Sequence, residues 1–208
     1  INYAQLLSNI ATEIKPYWGQ GQQATYIPEL ANRNPDKYGV CLSFLDGNDY
    51  THGDSDERFS IQSISKIFTT AAAFGVLGDE LWKRVGVEPS GSPFNSLVQL
   101  EYEEGIPRNP FINPGALVVT DVLLSAFKDP YQEMLNYVRE LCGCDDISYN
   151  KEVAQSEMDT GFRNASMAFL LKSFNNLNNS PKDVLDLYFH YCSIEMSCAE
   201  LARACHLF

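Results

Sequence analysis

Apolar side chains recur at helical spacing between residues 3 and 15. Tyr3, Leu6, Leu7, Ile10 and Ile14 share a face there, and Pro16 ends the run. A loop follows through Asn34-Pro35. The stretch Tyr38–Leu45 reads as a strand, Asp46-Gly47 as a tight turn and Tyr50–Gly53 as its returning partner. Phe59–Ile61 is a short extended lead-in. Helical periodicity then runs from Ser63 to Leu77, and Gly78 closes it. Residues 86 to 114 are rich in breakers, with Glu88-Pro-Ser-Gly91, Arg108-Asn-Pro110 and Asn113-Pro-Gly115. Beyond them the periodicity predicts helices over 115–127, 131–142, 150–158, 163–176, 181–192 and 197–207. Ser180-Pro181 has a capping hydroxyl before a proline at the first helical position, and Ser197–Glu200 is a capping box. Many helices stand against one hairpin, and two strands alone are marginal in water without further strands or a helix over them.

Composition narrows the class. At 45% hydrophobic and 12% aromatic, the 208 residues bury enough surface to exclude disorder. No apolar stretch approaches the roughly 18 residues of a membrane helix. A net charge of −12 argues against nucleic acid or an anionic membrane as partner. There is no basic n-region with an apolar h-region at the start. The six cysteines (Cys41, Cys142, Cys144, Cys192, Cys198 and Cys205) lack the paired C-x2-C spacing of a zinc site. They read as reduced, buried thiols, with Cys198 and Cys205 on one helical face, and point to no metal and a cytoplasmic address.

The sharpest chemical signal is Ser63-Ile-Ser-Lys66. Three residues apart at a helix start, the hydroxyl and the amine share a face. A lysine with a depressed pKa can take the serine proton, and the helix N-terminus offers N–H groups to an oxyanion. Such a pattern is weak alone, and a second copy, Ser148-Tyr-Asn-Lys151, reads as a helix cap. Ser63 can thus be a nucleophile, or a structural serine beside a solvated lysine. The amides of Asn109 and Asn113 either bond their own backbone or face a polar ligand. Glu157 and Asn164 fall on one helix face unless the turn at Gly161 intervenes; otherwise they are a surface acid and a helix cap. His52, His190 and His206 read as structural or surface histidines, and Glu101, Glu103 and Glu104 as a solvated charge run.

Longer motifs lie around these residues. Tyr26-Ile-Pro-Glu-Leu30, Phe59-Ser-Ile-Gln-Ser-Ile-Ser-Lys66, Glu88-Pro-Ser-Gly91 with Phe94-Asn-Ser96, Pro107-Arg-Asn-Pro-Phe-Ile-Asn113, Arg163-Asn164 and Tyr188–Cys198 occur in that order. In them the chain resembles the serine-dependent glutaminases over essentially its whole length. The resemblance implies an α+β fold shared with β-lactamases and penicillin-binding proteins, with helices packed on an antiparallel sheet. It implies a single catalytic domain over 1–208 that hydrolyses the side-chain amide of L-glutamine to L-glutamate and ammonia. It further implies Ser63 as nucleophile and Lys66 as base, with Tyr26, Asn113, Glu157, Asn164 and Tyr188 lining the substrate site, no cofactor, and a dimer or tetramer. An anion at Glu157 suits an α-ammonium, and the amides and phenols suit an α-carboxylate.

Two departures from the family pattern stand out. Pro114 replaces a small alanine, which removes an N–H and stiffens the turn at Asn113. No Lys-[Ser/Thr]-Gly occurs; the nearest text, Lys172-Ser-Phe174, lies inside a predicted helix. The second oxyanion donor is therefore unaccounted for, a loss that typically lowers rate roughly 100- to 1000-fold. The expectation is that the chain lacks its C-terminal third, with the last strands of the sheet. The competing readings are a penicillin-recognising serine enzyme and a catalytically inactive helical interaction module.

Overall fold

Polar caps and prolines set where the helices begin. The computed structural model describes residues 1–208. In chain order the elements are α1 (Tyr3–Ile14), α2 (Pro28–Ala31), β1 (Gly39–Ser43), β2 (Asp49–Gly53), β3 (Phe59–Ser60), α3 (Ser65–Leu77), α4 (Leu97–Tyr102) and α5 (Asn113–Ala126). There follow α6 (Pro130–Cys142), β4 (Ser148–Tyr149), α7 (Lys151–Thr160), α8 (Phe162–Ser173), α9 (Pro181–Cys192), β5 (Ile194–Met196) and α10 (Cys198–Ala204). The fold is α+β, dominated by helices, and no helix is long and apolar enough to cross a membrane. Asn150 caps α7 by accepting from the Val153 amide at 3.0 Å, Ser180 caps α9, and Ser197 with Glu200 forms the predicted box on α10.

Several boundaries differ from the periodicity. Gln62–Ile64 is a 3-10 turn with Gln62 at φ 50°, so α3 proper begins only at Ser65. Helix α5 starts two residues early and takes Pro114 into its first turn, where an N–H has no intrahelical partner, so the proline costs nothing there. The predicted 163–176 helix stops at Ser173, two residues before Asn175 turns left-handed at φ 61°. Helices α2 and α4 and strands β4 and β5 are two to six residues long, too short to leave a period.

The chain forms two compact units. The first comprises Ile1–Ser60, Leu135–Ser148 and Glu195–Phe208. Its β1–β2 hairpin pairs antiparallel from Gly39↔Gly53 to Ser43↔Asp49. Helices provide the cover a hairpin needs: α1 packs on β2, with the Tyr3 ring 4.8 Å from Phe44 and 5.2 Å from Tyr50, and α10 packs on β1. Arg203 Nε reaches Asp49 Oδ2 at 2.7 Å, holding α10 to β2 as well. Strand β3 pairs antiparallel with β5 through Phe59↔Met196 and Ser60↔Glu195, in a sheet ordered β3–β5–β4. Arg58 donates to Glu200 at 2.6 and 3.1 Å, to Asp146 and to Cys144 Sγ at 3.4 Å. The ligand-type atoms of Cys144, Asp146 and Glu200 lie within 4.8 Å of one another, and the cation among them is the guanidinium.

Only Cys142 and Cys192 are buried thiols; Cys41, Cys144 and Cys198 are half-buried and Cys205 is exposed. This corrects the expected burial of all six. Helix α10 ends at Ala204, so Cys205 lies in a 3-10 turn, out of phase with Cys198. All six cysteines are free thiols.

The second unit comprises Ile61–Met134 and Tyr149–Ile194. Every residue of α5 from Asn113 to Leu123 is buried, because α3, α8 and α9 pack around it. Within it Asp121, fully buried, accepts from Arg84 at 2.6 Å, the Asn178 and Asn179 amides at 3.0 and 2.8 Å, and the Asn179 side chain at 2.9 Å. Replacing Asp121 with alanine strands those donors, and we expect a loss of about 3–5 kcal/mol. Urea unfolding measures it, and a loss below about 1 kcal/mol would contradict the network's role.

Candidate active site

Ser63 lies exposed in the 3-10 turn that leads into α3. The Ile61 amide, bonded to the Ile194 carbonyl at 2.9 Å, anchors the entry to this turn, and the Ile64 amide closes it on Ile61 at 3.0 Å. Gln62, immediately before Ser63, carries φ 50°, a left-handed value that a non-glycine residue keeps only where its surroundings hold it. One turn along, Lys66 is 4% exposed. Its Nζ donates to Asn113 Oδ1 at 2.7 Å and to the Phe111 carbonyl at 3.1 Å, and not to Ser63 Oγ. Burial pushes the Lys66 pKa below the usual lysine range, while Cys192 and Glu157 pull it back.

The two asparagines left open by sequence resolve differently. Asn109 bonds backbone, accepting from the Phe111 and Ile112 amides and donating to the Glu88 carbonyl. That shapes the loop whose Phe111 carbonyl meets Lys66. Asn113 faces the site, taking the lysine on its oxygen and donating from Nδ2 to Asn164 Oδ1 at 2.9 Å. Gly115 allows the approach behind it, since a Cβ there would lie 1.9 Å from the Asn109 carbonyl oxygen.

Glu157 and Asn164 do not share one helix, because the chain turns at Gly161 between α7 and α8. A Cβ at Gly161 would meet Phe189 Cζ at 2.4 Å and the Glu157 carbonyl at 2.6 Å, so only glycine lets the turn close on α9. Glu157 is buried rather than a surface acid. Burial raises its pKa to about 7, against the lowering pull of Lys66, and no side chain or amide donates to its carboxylate. Tyr188 on α9 is buried in this second unit, as are Lys66, Asn113 and Glu157. Tyr26 belongs to the first unit, 71% exposed ahead of α2. His190 is structural, as expected: its Nδ1 meets the Asp186 carbonyl at 2.8 Å and its ring stands edge-on to Tyr131 and Tyr149. Sequence reasoning missed the Phe111 carbonyl and the strain at Gln62, since backbone geometry leaves no residue signature.

A family model described as Glutaminase matches residues 21–208. The chain belongs to the glutaminase family. A glutaminase of Cronobacter sakazakii is 53% identical over 201 residues, which is 96% of this chain and 65% of that protein. One from Saccharophagus degradans is 48% identical over 204 residues, 98% of this chain and 66% of that protein. Among solved structures, a probable glutaminase, ybaS, superposes with a TM-score of 0.88 at 33% identity, covering 95% of this chain and 64% of that one. Mglu in its tris and glutamate form gives 0.88 at 32% identity, covering 97% and 46%. The chain thus spans about two thirds of the length of the curated glutaminases it matches, and shares their β-lactamase-like fold.

The raised acid makes the chain's stability fall as pH rises. Below about pH 4.5 Glu157 is protonated both folded and unfolded; above that the unfolded chain ionises first, until the folded form follows near 7. We expect Glu157→Gln to melt higher than wild type above pH 7, by the equivalent of about 2–3 kcal/mol, and the gap to close towards pH 5. Thermal melts across that range check it; a gap that does not vary with pH would refute it.

Proposed function

We propose that the protein hydrolyses the side-chain amide of L-glutamine to L-glutamate and ammonia through a γ-glutamyl ester on Ser63. One observation carries the reading: the buried amine of Lys66 has both its N–H directions occupied, three residues after an exposed serine. A neutral lysine has two protons and one lone pair. With the protons on Phe111 and Asn113, the lone pair is left to accept the Ser63 proton. Ser63 Oγ then attacks the amide carbon, Lys66 passes the proton to the leaving nitrogen and the C–N bond breaks, releasing ammonia. Water attacks the ester by the reverse proton path, giving glutamate and free Ser63. The N-terminal amides of α3 favour the oxyanion.

The substrate's zwitterionic head fits the remaining groups. Glu157 lacks a protein donor, so an α-ammonium is its complement, and binding it would draw its pKa down. Asn164, whose oxygen is taken by Asn113, presents its Nδ2 to an α-carboxylate, and Tyr188 adds a phenol. Asn113 itself becomes chiefly the holder of Lys66. The family resemblance adds Tyr26. A solved relative described in a glutamate form is consistent with glutamate as product. The same reading takes residues 1–208 as part of one catalytic domain, acting in the cytoplasm without a cofactor as a homo-oligomer, a dimer or tetramer.

Ammonia release from L-glutamine by the full-length protein tests this. Ser63→Ala is expected to lower kcat by about 10⁴-fold or more. Lys66→Arg should not restore a lost base, since a guanidinium stays protonated. The kcat/KM profile should show an acid limb near pH 7 from Glu157, displaced to lower pH in kcat. Serine-independent release, or nitrocefin turnover at Ser63 in its place, would overturn the assignment.

A further inference from the structure

The Glu88-Pro-Ser-Gly91 and Phe94-Asn-Ser96 motifs form a loop to which the reaction gives no part. Its first end is pinned: Asn109 Nδ2 donates to the Glu88 carbonyl at 2.8 Å, and Gln99 Nε2 to the Ser90 carbonyl at 2.7 Å. The chain then turns at Gly91, φ 66°, and arrives beside the site with two successive carbonyls. The Phe94 carbonyl accepts from the Asn113 amide at 2.8 Å. The Asn95 carbonyl accepts from Arg163 Nε, in the first turn of α8, at 2.9 Å.

These two partners close a ring. Asn113 opens α5, where its amide has no intrahelical acceptor and no side chain caps the end, so the Phe94 carbonyl takes that place. Arg163 immediately precedes Asn164, and Asn164 Oδ1 accepts from Asn113 Nδ2 at 2.9 Å. The ring runs from Phe94 to Asn113, across to Asn164, back one residue to Arg163, and through Asn95 to Phe94. Without the arginine bond, the Asn113–Asn164 pair is the only hydrogen bond of the ring that still reaches α8. Lys66 depends on it less, because its Phe111 acceptor sits on a loop pinned by Asn109, outside the ring.

We infer that Arg163 is a positioning residue for substrate binding. By tying the Phe94–Asn95 loop to α8, it fixes the Asn164 carboxamide that meets the substrate's α-carboxylate. The inference rests on the glutaminase reading for its ligand, though not for its geometry. Asn113 Oδ1 is taken by Lys66, so its Nδ2 must face Asn164 Oδ1, and only Nδ2 of Asn164 is left for a ligand. That assignment holds while the two carboxamides stay in register, which is what the ring enforces. Arg163 is exposed, and surface substitutions usually change stability little, so its effect falls on KM rather than on folding.

The test uses the full-length protein with Arg163→Met, Arg163→Gln and Asn164→Ala. Methionine keeps an apolar stem without a donor, whereas glutamine keeps an N–H donor without the charge. We expect Arg163→Met to raise KM for L-glutamine about five- to tenfold, the worth of one hydrogen bond, with kcat within about twofold. Arg163→Gln should recover most of that loss. In an Asn164→Ala background the cost of Arg163→Met should disappear, because the group it positions is gone. A KM within about twofold of wild type in Arg163→Met, or a fall in kcat as large as the rise in KM, overturns the inference. So do methionine and glutamine variants equally impaired, which would mean that the cation attracts substrate by charge alone. Hydrogen exchange at the Asn113 amide gives a readout without turnover. It should be faster in Arg163→Met than in Arg163→Gln, and equal rates refute the ring. Should Ser63→Ala leave ammonia release unchanged, the glutaminase reading fails, and the exchange rates alone decide the role of Arg163.

Discussion

A buried amine held by two oxygens is the constraint on which the site depends. Lys66 is taken out of water on α3, where burial disfavours its charged form and leaves its N–H groups in need of protein acceptors. Asn113 and the Phe111 carbonyl fix it. Asn113 is the first residue of α5, the helix around which the second unit is built, and Phe111 lies in the loop two residues ahead of it. Lys66 is therefore oriented by the first residue of the most deeply buried helix of the unit together with the loop that leads into it. Rigid elements place catalytic groups more accurately than loops do. The loop that supplies Phe111 is itself pinned by the side chain of Asn109.

The pocket separates its charges by the same means. Lys66 and Glu157 lie close enough for each to move the other's titration, and burial moves both towards neutrality. The two effects oppose each other: burial disfavours both charges, and each group favours the charged form of the other. In the proposed reading, the zwitterionic substrate supplies a cation for Glu157, whose charge burial disfavours. Charge on the ligand, not on the protein, would then complete the electrostatics of the pocket.

Much of this was legible in the sequence, and the reasons for the remainder are physical. Ser63 and Lys66 could be found because a helix converts a three-residue spacing into a shared face. Caps at Asn150, Ser180 and Ser197 were readable because capping is local chemistry between neighbours. The partnership of Asn113 with Lys66 was not, since 47 residues separate them and no period connects them. Glu157 read equally well as a surface acid, because burial is conferred by α9 packing across Gly161 and is not encoded near residue 157. The strands β4 and β5 are too short to alternate, and they exist through pairing rather than propensity.

The first unit draws on three distant stretches of chain, and this bears on how it is made. The hairpin Gly39–Gly53 emerges early in synthesis, but α10 and Arg203, which cover and clamp it, follow about 150 residues later. At ribosomal speeds of about 5–20 residues per second, the hairpin face under α10 waits roughly 8–30 s for its cover. During that interval the nascent strands expose apolar surface and free edges, the features that recruit chaperones or lead to aggregation. Folding of this unit is therefore coupled to late translation, so slow codons between residues 60 and 195 would lengthen its period of vulnerability.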